Sequence, residues 1–212
     1  EPVKCDTKYP IVLAHGMGAS AELLWGVVDY WHNIEGILEG EGATVYVTSV
    51  SAMNSTAEKA QQFADQVNTF MNQNGYEKVN IIAHSHGGLY SRYAISKLGL
   101  ASKVASLTTM RTPHRGSSVA DLLASNEDVL NVLGDSLNFV YSFFETDPDG
   151  IQNGLDLETD YMTNVFNVEV QNVQGVYYQS YAAKIKGLIA PSIVLTPTYL
   201  YMLSQGDSEN DG

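Results

Sequence analysis

The residues of this chain best placed to do chemistry lie in Ala83-His84-Ser85-His86-Gly87-Gly88. A serine here sits between an apolar run, Val79 to Ala83, and a helical pattern, Leu89 to Leu98. Strand, small residue, x, Ser, x, Gly, helix is the nucleophile-elbow pattern. Such a turn holds the serine in a strained backbone conformation, with its hydroxyl projecting at the end of the strand. Small residues two before and two after it let strand and helix approach closely. The helix N-terminus favours developing negative charge. The usual first glycine is Ala83 here. An ordinary glycine-containing loop is the alternative, and the strand before and the helix after favour the elbow. The expected chemistry is attack by Ser85 on an acyl carbon.

Acyl transfer also needs donors for the oxyanion of the tetrahedral intermediate. His15-Gly16-Met17-Gly18 follows the first apolar run, and glycines there let backbone N–H groups approach a substrate. One donor of an elbow site is the residue after the nucleophile, here His86; the other comes from a loop after an earlier strand, here Met17. Ser85 further needs a histidine base and an orienting carboxylate. The five histidines are His15, His32, His84, His86 and His114. His32 belongs to an amphipathic helical pattern and reads as a surface or packing residue. His84 and His86 flank the serine on the turn, and their side chains diverge from its hydroxyl. His15 suits a structural hydrogen bond. His114, in Thr112-Pro113-His114-Arg115-Gly116-Ser117, follows the fourth apolar run and is the one remaining candidate base. In elbow hydrolases the order is Ser, then Asp or Glu, then His, and no histidine follows residue 114.

Elements must hold these residues. Pro10 to Ala14, Thr44 to Val50, Val79 to Ala83 and Val104 to Thr109 read as strands, β-branched and nearly continuous, as in sheets buried on both faces. Tyr177, Tyr178 and Tyr181 fall in a later strand or its edge. Trp31, Ile34 and Leu38 predict a helix closed by Gly40 and Gly42. Ser55 and Glu58 have capping-box spacing, although Thr56 could equally be the cap. The stripe Ala60, Phe63, Ala64, Val67, Phe70, Met71 follows, ended by Gly75, and reads as a packed helix face. Strands alternating with helices predict an α/β fold, a mostly parallel sheet covered on both faces, with chemistry at the carboxyl ends of the strands.

The 212 residues suit a single domain, and the net charge of −13 disfavours nucleic acid as a partner. No apolar run reaches membrane-span length. The single cysteine, Cys5, excludes an internal disulfide framework and a multi-cysteine zinc site. Residues 117 to 145 are strongly apolar, with Val119, Leu122, Leu123, Val129, Leu130, Val132, Leu133, Leu137, Phe139, Val140, Phe143 and Phe144. An amphipathic helix there could cover the site in water and open at a lipid surface; a core helix pair in an inserted cap is the alternative.

Several segments resemble the bacterial family I triacylglycerol lipases of the Pseudomonas and Burkholderia type. They are Tyr9 to Gly18, Gly42 to Val47, Val79 to Gly88 with Ser91-Arg92-Tyr93, Val104 to Thr109, and Thr112 to Ser117. Asn210-Asp211-Gly212 resembles the loop that bears the family's catalytic aspartate. The likeness is ordered from about residue 8 to 123 and sparse beyond. It implies an α/β-hydrolase fold over residues 1–212 with a helical lid or cap at about 117–170. It implies Ser85 as nucleophile, Asp211 as the acid with Asp207 as fallback, and the N–H groups of Met17 and His86 as the oxyanion hole. The family's catalytic histidine follows the aspartate loop, so the chain reads as the N-terminal portion of a lipase, with a C-terminal peptide carrying the base. The resemblance further implies a secreted enzyme that hydrolyses long-chain acylglycerols at an oil–water interface, in some relatives with a lipase-specific foldase as partner. An esterase for smaller or polymeric esters and a non-catalytic lipid-binding module are the alternatives. No cofactor is required for the chemistry. The family's structural calcium uses an Asp-Pro-Ser stretch, and Ala190-Pro191-Ser192 puts alanine in the aspartate's place. Ala83 and Arg111 stand where the family usually has glycine.

Overall fold

The structure, a computed structural model, describes residues 5–16, 30–51, 54–125, 155–184 and 196–207. The four expected strands form, with a fifth at the tyrosine-rich segment: β1 (Ile11–Ala14), β2 (Val45–Val47), β3 (Val79–His84), β4 (Val104–Met110) and β5 (Tyr177–Tyr181). They make a sheet in the order β2-β1-β3-β4-β5, every described pair parallel. Val12 of β1 faces Tyr46 on one side and Ile81 on the other.

Side chains alternate across this sheet. Val12 and Ala14 join Val79, Ile81 and Ala83 on one face. There they pack against two helices, α2 (Thr56–Asn74) and α3 (Gly87–Lys97). Ile11 and Leu13 point the other way, to Trp31, Ala43 and Val45. Phe63, Ala64, Val67 and Met71 of α2 are buried in the first cluster. Burying a Phe, Val or Met side chain is worth about 1.5–3 kcal/mol, so this face fixes α2 more firmly than helix propensity would.

The start of α2 settles the capping choice. Ser55 is the N-cap; its hydroxyl accepts from the Glu58 N–H, and the Glu58 carboxylate accepts from the Ser55 N–H at 3.1 Å. The first helix, α1 (Ile34–Gly40), departs from expectation. Trp31 lies in the turn before it and is buried, whereas Ile34 and Ile37 are 43% and 63% exposed. The indole anchors this segment, and the helix that follows rides outside. His32 accordingly sits in that turn, exposed, and not within the helix. β2 is shorter than the Thr44 to Val50 run. Its partner β1 ends at Ala14, so the Val50 N–H has no strand to pair with and donates to the His15 ring instead.

Close contacts divide the chain into two units, Glu1–Thr112 with Val170–Tyr181, and Pro113–Glu169 with Ala182–Gly212. The first holds the sheet and Ser85. In the second, α4 (Ser118–Ala124) is capped by the Ser117 hydroxyl. The Asp121 carboxylate accepts from both the N–H and the hydroxyl of Thr159, each at 2.8 Å. Thr159 opens a helical stretch that passes through a π-turn at Met162–Phe166. A further helix, α5, spans Thr196–Ser204. Most of the apolar stretch expected to form the lid, residues 126–154, lies outside the described residues, as do Met17, Ala190 and Asp211.

Candidate active site

β3 ends at His84, α3 begins at Gly87, and Ser85 makes the corner with φ 54°. That left-handed conformation costs a non-glycine residue roughly 1–2 kcal/mol, and it persists because the corner is held from three sides. The Ser85 N–H donates to the Met110 carbonyl at the end of β4, 2.9 Å away. Its carbonyl accepts from the Gly88 N–H at 3.1 Å and from the Thr112 hydroxyl at 2.8 Å. Gly87 is forced by packing: a Cβ there would lie 2.3 Å from the Ala14 carbonyl oxygen and 2.8 Å from that of His15. The serine itself is half-buried.

The loop after β1 comes directly against this corner. A Cβ at Gly16 would sit 2.8 Å from Ser85 Cβ, 3.2 Å from its Oγ and 2.7 Å from the Tyr30 hydroxyl. Only glycine fits. The Gly16 N–H donates to the Tyr30 hydroxyl at 3.0 Å, and that hydroxyl in turn hydrogen-bonds His84 Nδ1. Burial pushes the Tyr30 phenol up, the Gly16 contact opposing it. Sequence reasoning gave Tyr30 no role. Its signal would have been an aromatic hydroxyl shortly after a glycine loop, which is weak.

The histidines sort cleanly. His15 is buried; its Nδ1–H donates to the Gly16 carbonyl at 2.8 Å and its Nε2 accepts from the Val50 N–H at 3.0 Å. Its carbonyl accepts from the Tyr90 hydroxyl at 2.8 Å. The ring is therefore neutral, and burial holds its pKa below the usual value. This is the structural role expected of it. His86 is buried too. Its Nε2 pairs with the Thr56 hydroxyl at 2.8 Å and its Nδ1 with Lys59 Nζ at 3.2 Å. Burial, then the nearby Lys59 charge, then His15 hold its pKa well below the usual range. The rings of His15 and His86 are thus committed elsewhere. The His86 N–H, by contrast, opens α3 and takes no backbone partner among the described residues. His114 lies in the second unit, its carbonyl accepting from the Asn167 amide at 2.7 Å. Asp207 is exposed after α5.

Arg111 explains one departure from the lipase pattern. It has φ 51°, the left-handed region where glycine is at no disadvantage, and its N–H donates to the Tyr181 carbonyl at 2.9 Å. The position needs that conformation to turn the chain from β4 into Thr112, and arginine adopts it under strain. Among the described residues, no group of three or more His, Cys, Asp or Glu side chains is placed to hold a metal ion.

A parallel sheet with a strained serine between a strand end and a helix N-terminus is the architecture of one large class. The chain belongs to it: the alpha/beta hydrolase fold family matches residues 9–204. Within that class its relatives are triacylglycerol lipases. It is 37% identical over 150 residues to one from Pseudarthrobacter phenanthrenivorans, covering 69% of this chain and 41% of that protein. The identity is also 37% over 150 residues with the Burkholderia plantarii lipase, 69% of this chain and 36% of the other. With that of Vibrio cholerae it is 44% over 118 residues, 56% and 36% respectively. The match thus spans less than half the length of these relatives. A mature Bacillus licheniformis lipase shares the fold with a TM-score of 0.71 at 22% identity, covering 99% of this chain and 79% of that one. A metagenomic carboxyl esterase does so with a TM-score of 0.71 at 18% identity, 96% and 58%.

Proposed function

We propose that this chain carries the nucleophile and oxyanion hole of a serine carboxylic ester hydrolase, a lipase acting on long-chain acylglycerols. The observation that carries the reading is Ser85 at φ 54° with the Gly16 backbone pressed against its Cβ. A corner held at that cost has a use when the hydroxyl must stand clear of the strand beside backbone donors. Ser85 Oγ attacks the ester carbonyl carbon while its proton passes to a histidine. The N–H groups of His86 and Met17 receive the oxyanion. Collapse of the intermediate expels the alcohol, which takes the proton from the histidine, and leaves an acyl-serine. Water, deprotonated by the same histidine, then releases the fatty acid and restores Ser85.

Asp211 is the carboxylate we assign to orient the base, with Asp207 as fallback. The rings of His15 and His86 are bound in other hydrogen bonds, and no histidine follows His114 in the sequence. We therefore assign the base to protein beyond residues 1–212, which the greater length of the relatives accommodates. The apolar stretch after Ser117 serves in this reading as a lid over the site. Secretion and maturation by a foldase belong to the same proposal, and the chemistry requires no cofactor.

A fluorophosphonate ester probe tests this on the complete protein. Stoichiometric labelling mapped to Ser85, with turnover that rises when a long-chain triacylglycerol is emulsified, supports the lipase. Labelling with preference for short soluble esters would move the substrate to the esterase class. An unlabelled Ser85 would overturn the mechanism in favour of lipid binding alone.

A further inference from the structure

Lysine is among the residues least often fully buried, because its ammonium loses water and must be hydrogen-bonded in return. Lys59 is 1% exposed. It lies on α2, in register with the stripe that continues through Ala60, Phe63 and Val67. The capping box of Ser55 and Glu58 fixes the first turn of the helix. Thr56 and Lys59, three residues apart, consequently share a face, and both point into the His86 ring. An ammonium can only donate, so His86 Nδ1, 3.2 Å from Lys59 Nζ, is the acceptor. The ring proton is then on Nε2 and is donated to the Thr56 hydroxyl, 2.8 Å away. The imidazole is gripped at both nitrogens by one helical turn, in a cluster where His86 is 1% and Thr56 2% exposed.

His86 is also the residue whose backbone N–H faces the reaction in the function proposed above. Its ring is taken up by Thr56 and Lys59, so the grip on the ring acts on the backbone it is attached to. We propose that Lys59 and Thr56 are positioning residues for the oxyanion hole, holding the His86 N–H at its donating angle through the His86 ring. The inference rests on Ser85 being the nucleophile. It predicts a loss confined to the charged intermediate, since an ester carbonyl in the ground state draws less on that donor.

The test uses the complete protein with Lys59→Met, Thr56→Val and Thr56→Ser. Lys59→Met keeps the aliphatic stem, Thr56→Val keeps the shape, and Thr56→Ser keeps the hydroxyl. Active sites are counted by fluorophosphonate titration, so that a partly unfolded sample is not mistaken for a slow enzyme. Removing an oxyanion donor outright costs about 10²–10³ in kcat, and loosening one costs less. Lys59→Met and Thr56→Val should each lower kcat per titrated site on p-nitrophenyl butyrate by about tenfold, with KM changed by less than about twofold. Affinity for an aryl trifluoromethyl ketone, whose adduct carries the oxyanion, should fall by the same factor. Thr56→Ser should stay within about twofold of the parent. The proposal is overturned if both variants keep their per-site kcat, if only the number of titratable sites falls, or if Thr56→Ser loses as much as Thr56→Val. A parent protein that neither labels nor turns over esters refutes the proposed function instead.

Discussion

Gly87→Ala is the most demanding perturbation of this corner. The added methyl would meet the Ala14 carbonyl oxygen at 2.3 Å, where ordinary contact begins near 3.4 Å. Both groups are main chain, of β1 and of the first turn of α3, so no side chain can swing aside. Relief requires the helix N-terminus to retreat by about 1 Å, and close-packed interiors resist such shifts. Overpacking of this kind costs about 1–3 kcal/mol. At roughly 2–4 °C per kcal/mol for a domain of this size, Tm should fall by about 2–12 °C. The functional loss should be larger in proportion. Ser85 rides on the displaced turn while Gly16 stays with β1, and a misplacement of about 1 Å can cost 10²-fold. The fluorophosphonate labelling rate of Ser85, set beside the melting temperature, is the assay. Gly36→Ala is the control: a methyl there meets nothing within 4 Å, and a helix interior gains about 0.5–1 kcal/mol from it. A Gly87→Ala protein that melts and labels like the parent would refute the claim that close approach, rather than chance, fixes glycine at that position.

Three further outcomes follow from named features. Ser85→Ala and Ser85→Gly should both abolish ester turnover, yet the glycine variant should be the more stable by about 1 kcal/mol in urea denaturation, because it removes the strain of φ 54°. Arg111→Gly should likewise raise the unfolding free energy in urea by up to about 1 kcal/mol while sparing activity, since φ 51° suits glycine and the N–H to Tyr181 remains. His15 and His86 are held neutral by burial, with folded pKa values below the ordinary 6.5. Above pH 6.5 both folded and unfolded forms are unprotonated there, and stability is complete. As pH falls below 6.5 the unfolded chain takes up these protons ahead of the folded one, so unfolding should become easier by up to about 1.4 kcal/mol per pH unit for each histidine. Urea denaturation between pH 7 and 5 checks this, and His86→Gln should flatten the slope.

The corner was legible because its constraints are local: strand, small residue, serine and glycine lie within one short run. The sheet was legible for the same reason, each strand being a continuous apolar segment. Where prediction failed, a distant partner had decided the matter. β2 stops early because β1 is short and the His15 ring takes up the Val50 N–H. The face of α1 misled because Trp31, outside the helix, carries the burial that Ile34 was expected to carry. Lys59 escaped notice because a charged residue on a helix is read as solvated. Extending the α2 stripe back one turn from Ala60 places Thr56 and Lys59 in its register, and a lysine there demands a partner. Arg111 stood out only as a substitution for glycine; the left-handed backbone supplies the reason. Met17, Asp211 and residues 126–154 of the expected lid lie outside the described residues; Met17 and the lid rest on the sequence pattern, and Asp211 on the lipase resemblance.

The order of the strands across the sheet differs from the order in which they are synthesised. β1 emerges first but occupies an interior place between β2 and β3, and the serine's corner is pinned by Met110 and Thr112, which emerge only after it. A nascent chain ending at His86 thus carries the nucleophile without the hydrogen bonds with Gly88, Met110 and Thr112 that hold its corner. β4 in turn presents an open edge until β5, encoded far downstream, closes it. Such edges template pairing with other chains. At roughly 5–20 residues per second of translation, this edge stands open for seconds, the interval in which a chaperone would most benefit the protein.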